Sequence, residues 1–361
     1  MKLLFISSKD VHTTIDGGFL CTNRNYRSFC TLLGEKNVDV IDLSNEPLKD
    51  LKWKIAKRIN YLKGFYEGLT LNKIGYIIHK ATKTDFVFID DSIYGIVAYY
   101  LRKAKYKGKI ISFFHNVEYK IELQKTKINP LHFWKKFITR YNEKSAFEFS
   151  DRRIALNERD AEDLKNTYGI KPISIIPISL IDKVKELDQS ISTSIPPTCV
   201  FLGSSWYANV EGLNWFIKHV LDKVDIRLQV AGKGMDSMSK RFSHPKIEFI
   251  GYVPDLALII SGADFIISPI FSGSGMKVKT CEALMYGKNI IGTKEAFEGY
   301  EVDFTKVGAL CNNSVEFIYA LNNLALVKRE RFNAYSRNYF IKNHSFQATI
   351  KKFQEVIESA N

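Results

Sequence analysis

The chain alternates short apolar runs with amphipathic helical patterns, and it does so twice. "KLLFIS" (2–7), "VDVIDL" (38–43), "DFVFID" (85–90), "KIISFF" (109–114) and "RRIALN" (152–157) have the length of strands and read as buried on both faces. Between them run helical patterns such as "FLCTNRNYRSFCTLLGEK" (19–36) and "SIYGIVAYYLRKAK" (92–105). Strands separated by helices cannot be wired as hairpins, so the pattern implies a parallel sheet covered by helices. The alternation restarts at "TCVFLG" (198–203) and continues through "IRLQVAG" (226–232), "KIEFIG" (246–251), "DFIISP" (264–269) and "NIIGT" (289–293). The expected class is α/β with two doubly wound domains, a division that 361 residues accommodate.

The boundaries follow from where the period fails. "IPISLIDKVKELDQSISTSIPP" (176–197) is rich in Ser, Pro and isolated charges and reads as a linker. That gives an N-terminal domain over 1–175, a C-terminal domain over 198–335, and closing helices over 336–361 that cross back onto the N-terminal domain. In the last of these, Phe346, Ile350, Phe353 and Ile357 share one helical face. Two doubly wound domains in one chain place a ligand in the cleft between them, at the carboxyl ends of the strands.

Several classes are excluded. No apolar run approaches the ~20 residues that span a bilayer, and "MKLLFIS" is too short for a secretory segment and reads as the first strand. The five cysteines (Cys21, Cys30, Cys199, Cys281, Cys311) are odd in number and form no CxxC pair, which fits a reducing cytosol. No Asp-x-Asp pair and no His/Cys/carboxylate cluster has metal-ligand spacing, so no metal or other cofactor is expected. No basic-aromatic array supports a nucleic-acid partner. The net charge of +13 is uneven: residues 1–175 carry 31 Lys+Arg and 20 Asp+Glu, whereas residues 176–361 carry 21 and 19. The basic amphipathic stretch "LKDLKWKIAKRINYLKGFYEGL" (48–69) contributes to the excess. It reads either as a surface helix on anionic lipid or as an ordinary helix with its apolar face on the sheet. The expected place is the cytoplasm, peripheral on the inner face of the cell membrane.

The chemistry concentrates in "SGSGMKVKTCEALMYGKNII" (272–291). An apolar strand ends before it and a helix follows, so Gly273 and Gly275 fall on a strand-to-helix turn where backbone can approach a phosphate. A P-loop needs glycine where Val278 stands, and a GxGxxG fingerprint fails at the same position. Glu282 lies seven residues after Gly275, which on a continuous helix is ~10 Å along nearly the same face. That separation suits a carboxylate holding a ribose while Lys277 and Lys279 neutralise phosphate. The competing reading is a turn followed by an exposed Lys–Glu pair at i, i+3.

The segment "PIFSGSGMKVKTCEALMYGKNIIGTKEAFEGY" (269–300) closely resembles the donor-site motif of retaining GT-B glycosyltransferases of family four, the group 1 transferases. "FLGSSWYANVEGLNWF" (201–216), "LQVAGKG" (228–234) and "IEFIGYVPDLALIISGADFIISP" (247–269) resemble the same family's C-terminal domain in order and spacing. Gly17-Gly18-Phe19, "FFHNVE" (113–118) and "IALNERDAEDL" (154–164) resemble its acceptor domain, less specifically. The resemblance implies two Rossmann-like domains facing a cleft, and a hexosyltransferase-type enzyme that works with retention and without metal. The donor it implies is a nucleotide sugar, UDP-linked in preference to GDP-linked. The acceptor is a saccharide, lipid-linked for a surface polysaccharide, or a protein.

Under that resemblance Glu282 holds the donor ribose, Gly273, Ser274 and Gly275 give backbone N–H groups to the pyrophosphate or sugar, and Lys277 and Lys279 offset phosphate charge. Tyr252 and Val253 border the base, Gly203 lies in the first loop of the donor domain, and His115 approaches the reacting centre. Gly17, Gly18 and Asn116 belong to an acceptor or phosphate loop. The residues also read more plainly: Asp16-Gly17-Gly18 as a simple turn, His115 as a satisfied structural histidine, and Asn157 with Asp160 as a helix N-cap. Two departures mark a GSG-turn subgroup. The first of the family's two glutamates falls at Ser274, and its Arg…Lys clamp is replaced by Ser204, Ser205 and Asn209. Competing functions are a nucleotide-sugar epimerase with the same fold and a non-catalytic subunit supporting a partner transferase.

Overall fold

The computed structural model describes residues 1–13, 17–44, 59–128, 133–184, 195–327 and 330–359. They form two compact units, Met1–Pro177 with Phe346–Asn361, and Ile178–Ser345. The first unit has strands β1 (Leu3–Ser7), β2 (Val38–Asp42), β3 (Phe86–Ile89), β4 (Lys109–Phe114), β5 (Arg152–Ala155) and β6 (Ser174–Ile175). They pair in the order β2-β1-β3-β4-β5-β6, every pair parallel. Its crossovers include helices α1 (Gly17–Leu33), α2 (Leu71–Ala81), α3 (Ile96–Lys103), α4 (Glu118–Ile128), α5 (Phe133–Phe149) and α6 (Glu158–Tyr168). β1 and β3 are buried along their whole length, as their unbroken apolar runs require, while edge strand β2 exposes Asp39, Val40 and Asp42. Asn157 caps α6 by accepting from the Asp160 N–H at 2.8 Å.

The second unit repeats the design. Strands β7 (Thr198–Leu202), β8 (Arg227–Ala231), β9 (Ile247–Gly251), β10 (Phe265–Ser268), β11 (Asn289–Gly292) and β12 (Gly308–Leu310) pair in the order β12-β11-β10-β7-β8-β9, again all parallel. Its helices are α7 (Tyr207–His219), α8 (Ala257–Gly262), α9 (Val278–Met285), α10 (Phe304–Val307), α11 (Ser314–Val327) and α12 (Ala334–Asn343). The last helix, α13 (Phe346–Glu358), belongs to the first unit, where Phe353 packs 4.9 Å from Phe29 and 6.2 Å from Phe88.

Three features differ from the sequence reading. Edge strands β6 and β12 are two and three residues long, too short to show a period. In β12 a Cβ on Gly308 would stand 2.1 Å from the Ile290 carbonyl, so the strand reaches its neighbour only as glycine. The segment expected as a linker begins as built structure. Ile176, Ile178 and Ser179 are buried, and the Leu180 N–H donates to the His344 carbonyl at 3.0 Å. The remainder, 185–194, lies outside the described residues, as do Asp16 and residues 48–58 of the basic stretch 48–69. The chain passes between the units after Pro177 and returns after Ser345, so α12 lies in the second unit and α13 in the first. All five cysteines are free thiols, and no helix among the described residues is long and apolar enough to cross a membrane.

Lys288 shows how the second unit closes. It is almost fully buried, and its Nζ donates to the carbonyls of Ser261 (2.6 Å), Ala263 (3.1 Å) and Arg331 (3.1 Å). The ammonium supplies hydrogen bonds that the ends of α8 and the 331 segment do not find in their own backbone. Lys288→Met keeps the aliphatic stem and strands three carbonyls. The expected loss is about 3 kcal/mol or more, read as a lower urea midpoint of the second unit's transition. An unchanged midpoint would show that water replaces the ammonium.

Candidate functional site

Strand order locates the site in the second unit. The chain runs from β7 outward to β8 and β9, then returns to β7's other side with β10. That reversal is where open α/β sheets bind ligands, just beyond the strand ends. The loops there are tied into one rim. The Gly203 N–H donates to the Ala231 carbonyl (3.0 Å), Ser205 to Lys233 (2.9 Å) and Gly232 to Gly251 (2.7 Å). A Cβ on Gly232 would lie 1.9 Å from the Gly203 carbonyl, so the loops after β7 and β8 meet only through glycine. Asn209 Nδ2 donates to the Ser204 carbonyl at 3.0 Å and holds the first loop from within α7. The Trp206 ring stands 3.5 Å from where a Cβ of Gly273 would be, joining the loops after β7 and β10. Tyr252, 68% exposed, and half-buried Val253 follow Gly251 on the same rim.

The turn itself is left-handed at two positions, Gly273 (φ 131°) and Gly275 (φ 63°), with exposed Ser274 between them. Helix α9 starts at Val278, directly after the turn. Lys277 is extended (φ −90°, ψ 109°), and Met276 is buried with its sulfur 3.5 Å from the Ile178 N–H. Glu282 lies about 6 Å along the helix from Val278, one turn in, and the helix is not continuous back to Gly275 because Lys277 is extended. The two lysines differ. Lys277 Nζ donates to the Gly275 carbonyl (2.8 Å) and to Glu295 Oε1 (2.7 Å), which locks it into the turn. Lys279 Nζ stands 2.9 Å from Glu282 Oε2, an ion pair on the open side of α9. Burial first, then the carboxylates of Asp255, Glu282 and Asp182, push the Tyr286 phenol up.

The first unit reverses direction between β1 and β3, and there the polar groups are buried. Asp90, at the end of β3, is fully buried. It accepts from Thr22 Oγ1 (2.5 Å), Asn25 Nδ2 (2.7 Å) and Ser7 Oγ (3.4 Å), and His115 Nε2 lies 3.4 Å away. Lys9 Nζ pairs with Asp91 at 3.3 Å. Burial and the Lys9 charge push the His115 imidazole down, but Cys21 and Asp90 more than offset them and raise it to about 10. Burial pushes the Asp90 carboxyl up, and His115, Lys9 and Thr22 bring it below the ordinary range. Arg24 Nη2 donates to Cys21 Sγ at 2.9 Å and Nη1 to the Pro177 carbonyl at 2.6 Å. Gly17 and Gly18, expected in a loop before the helix, form the first turn of α1. Asn116 Nδ2 donates to Glu118 Oε1 at 3.0 Å.

Behind this cluster, Glu143 of α5 caps a different helix. It accepts from the N–H groups of Glu118 (2.7 Å) and Tyr119 (3.2 Å) at the start of α4, and from the Tyr168 hydroxyl (2.7 Å). Burial pushes its carboxyl up to about 8; the Tyr168 hydroxyl and the two N–H groups oppose, and Glu118 assists. The sequence reading did not single out Asp90, Asp91, Lys9, Glu143, Trp206 or Glu295. Only the aspartates carried a signal, as two carboxylates at the end of an apolar strand. Among the described residues, no group of three or more His, Cys, Asp or Glu side chains is placed to hold a metal ion.

Known proteins carry the same architecture. Residues 196–326 match the family model described as "Glycosyl transferases group 1". A Klebsiella pneumoniae protein described as an "Uncharacterized 44.6 kDa protein in cps region" is 23% identical over 224 residues, spanning 57% of this chain and 56% of that one. Among solved structures, the apo lipopolysaccharide outer core galactosyltransferase WaaB superposes over 100% of both chains with a TM-score of 0.72 at 14% identity. HepE from Anabaena, solved with UDP-glucose, covers 99% of this chain and 100% of its own with a TM-score of 0.66 at 14% identity. A sucrose-phosphate synthase from Thermosynechococcus elongatus covers 99% and 98% with a TM-score of 0.74 at 12% identity. The fold is GT-B: α/β, with two six-stranded parallel sheets.

The buried titrating groups make a pH prediction. Glu143 rises from 4.5 to about 8 and His115 from 6.5 to about 10, so both hold protons more tightly folded than unfolded. The stability they contribute is complete below the unfolded value and is lost as pH rises through the folded one. Glu143→Gln keeps the neutral hydrogen-bonding shape with no proton to lose. Its urea midpoint should therefore fall less than the wild type's between pH 4.5 and about 8, a difference on the order of a few kcal/mol. The His115 decline at more alkaline pH should remain. Equal slopes for the two proteins in the first window would mean that Glu143 does not titrate there.

Proposed function

We propose that this protein is a retaining, metal-independent glycosyltransferase that moves a hexose from a UDP-sugar to a saccharide acceptor, lipid-linked in the assembly of a surface polysaccharide. One observation carries the reading: a left-handed Gly273-Ser274-Gly275 turn at the switch point of the second sheet, with Glu282 one helical turn beyond it. The match of 196–326 to the group 1 family model supports it. So does the likeness to structures whose titles name a galactosyltransferase and a protein bound to UDP-glucose. The relative described as lying in a cps region supports a polysaccharide product.

In this reading the turn offers backbone N–H groups to the pyrophosphate, and the first turn of α9 adds the positive end of its dipole. Glu282 accepts the ribose hydroxyls and releases Lys279 toward phosphate. Tyr252 and Val253 border the base, and Gly203 lets the first loop lie close. His115 enters the reaction as an imidazolium and donates hydrogen bonds, because Cys21 and Asp90 raise it. Retention follows from front-face attack, in which the leaving phosphate takes the acceptor's proton as the new glycosidic bond forms. The leaving charge is met by dipoles and a lysine, and no step needs a metal.

Glu282→Gln should weaken UDP and UDP-glucose binding ten- to a hundredfold with no change in thermal unfolding of the free protein. A charge-assisted hydrogen bond is worth ~1.5–3 kcal/mol. Lys279→Ala should weaken UDP far more than uridine; an equal loss for both would point to packing in place of phosphate contact. Calorimetric titration reads both. Turnover of a UDP-sugar should persist in EDTA, and activity lost in EDTA and restored by a divalent ion would refute the metal-free mechanism.

A further inference from the structure

The first three turns of α5 carry an unusual outer face. Phe133, Trp134, Phe137 and Tyr141 recur at i, i+1, i+4 and i+8 and share one side of the helix, with Trp134 70% exposed and the others about half. Basic groups lie among them. Lys136 Nζ sits 4.8 and 4.9 Å from the ring centres of Phe133 and Phe137, and exposed Arg140 lies over Tyr119 at 5.2 Å. From Phe133 to Lys144 the only acidic residue is Glu143, which points inward to cap α4. The neighbouring segment extends the face. Asn142 Nδ2 donates to the Gly64 carbonyl at 2.8 Å, and in that segment Ile59 and Leu62 are exposed, Leu62 at 82%. Two nearby carboxylates are already engaged: Glu67 accepts the Tyr61 hydroxyl at 2.6 Å, and Glu122 lies 3.0 Å from Lys125 and 3.7 Å from Lys135.

We propose that this aromatic and basic face of α5, with Ile59 and Leu62 beside it, docks the protein on an anionic lipid bilayer. The choice of partner rests on chemistry. Scattered exposed apolar residues are ordinary, but a contiguous set of large ones marks a binding surface. Trp and Tyr with Lys and Arg are the residues that settle at the headgroup boundary, where rings enter the acyl edge and cations meet phosphate. A protein interface depletes lysine at its centre, whereas this face has Lys136 seated on two of its rings. No described helix can span a bilayer, so the association is peripheral. The inference goes beyond sugar transfer and does not depend on it.

The test uses the full chain with vesicles of phosphatidylcholine alone and of equimolar phosphatidylcholine and phosphatidylglycerol. The wild type should co-sediment with the anionic vesicles at low salt, not with the neutral ones, and should be released at high salt. Trp134→Ala with Phe137→Ala should weaken binding roughly tenfold or more. Lys136→Gln and Arg140→Gln should each weaken it about fivefold and flatten the salt dependence. All four positions are exposed or half-exposed, so thermal unfolding should stay unchanged, and so should the thermal shift produced by UDP. Loss of vesicle binding with UDP binding intact separates this inference from the donor site. Three results would overturn it: no binding of wild type to anionic vesicles at low salt, wild-type binding by the aromatic double variant, or a dimer in sedimentation that those two substitutions dissolve.

Discussion

A parallel strand cannot be reached by a hairpin. Each connection must leave the carboxyl end of one strand, cross a face of the sheet, and re-enter at the amino end of the next. In both units this constraint gathers the variable loops at one end. It also explains why the chain's functional candidates, scattered from Gly203 to Glu282, share one rim. Within that rim the approach is closer than side chains allow. Gly232 against the Gly203 carbonyl lets the loops after β7 and β8 pack as backbone, and the Trp206 ring adds an ordinary contact to Gly273 of the loop after β10. The sheet supplies the position and the glycines supply the proximity.

The two units treat charge differently. In the second, the ion pair nearest the turn's open side, Lys279–Glu282, remains partly exposed. In the first, Asp90 is removed from water entirely and must find its solvation inside the protein. Helix α1 provides it by placing Thr22 and Asn25 three residues apart on one face, β1 adds Ser7, and the loop after β4 adds His115. Cys21 and this carboxylate together raise the imidazole, and His115 in turn lowers the carboxyl. The raised imidazole is thus a consequence of α1, which brings Cys21, and of where β3 ends, and not of the histidine's own loop.

How much of this was legible depended on range. The Gly273–Gly275 turn could be read because two glycines after an apolar strand have a local cause, the left-handed backbone they adopt. The helix after it could be read as well, but not the partners of Met276 and Lys277, which are distant in sequence, Ile178 and Glu295. Asp90 and Asp91 looked like residues ending a strand; the donors that make Asp90 a site come from positions 22 and 25. The aromatic face of α5 was hidden for another reason. The helix is apolar on more than one side, and only the packing of Ile138, Ala146 and Phe147 reveals which side the sheet takes. Ile176 and Ile178 showed no period because they are buried in chain that forms no regular element.

The pairing of both lysines bears on how a diphosphate would be bound. Lys277 with Glu295 and Lys279 with Glu282 give the turn no net side-chain charge, so long-range attraction to an anion must come from the helix end. The pairs are not equally easy to open. Lys279 is more than a third exposed, and an exposed i, i+3 pair contributes about 0–1 kcal/mol. Lys277 and Glu295 are both largely buried and hydrogen-bonded, and separating such a pair costs several kcal/mol because each charge is left behind. A nucleotide that offers ribose hydroxyls to Glu282 and phosphate to Lys279 exchanges the weak pair for two charge-assisted bonds of ~1.5–3 kcal/mol each. No comparable exchange exists for Lys277. Its part in the proposed donor site is therefore to hold the Gly275 carbonyl and fix the shape of the turn, while Lys279 is the cation free to change partners.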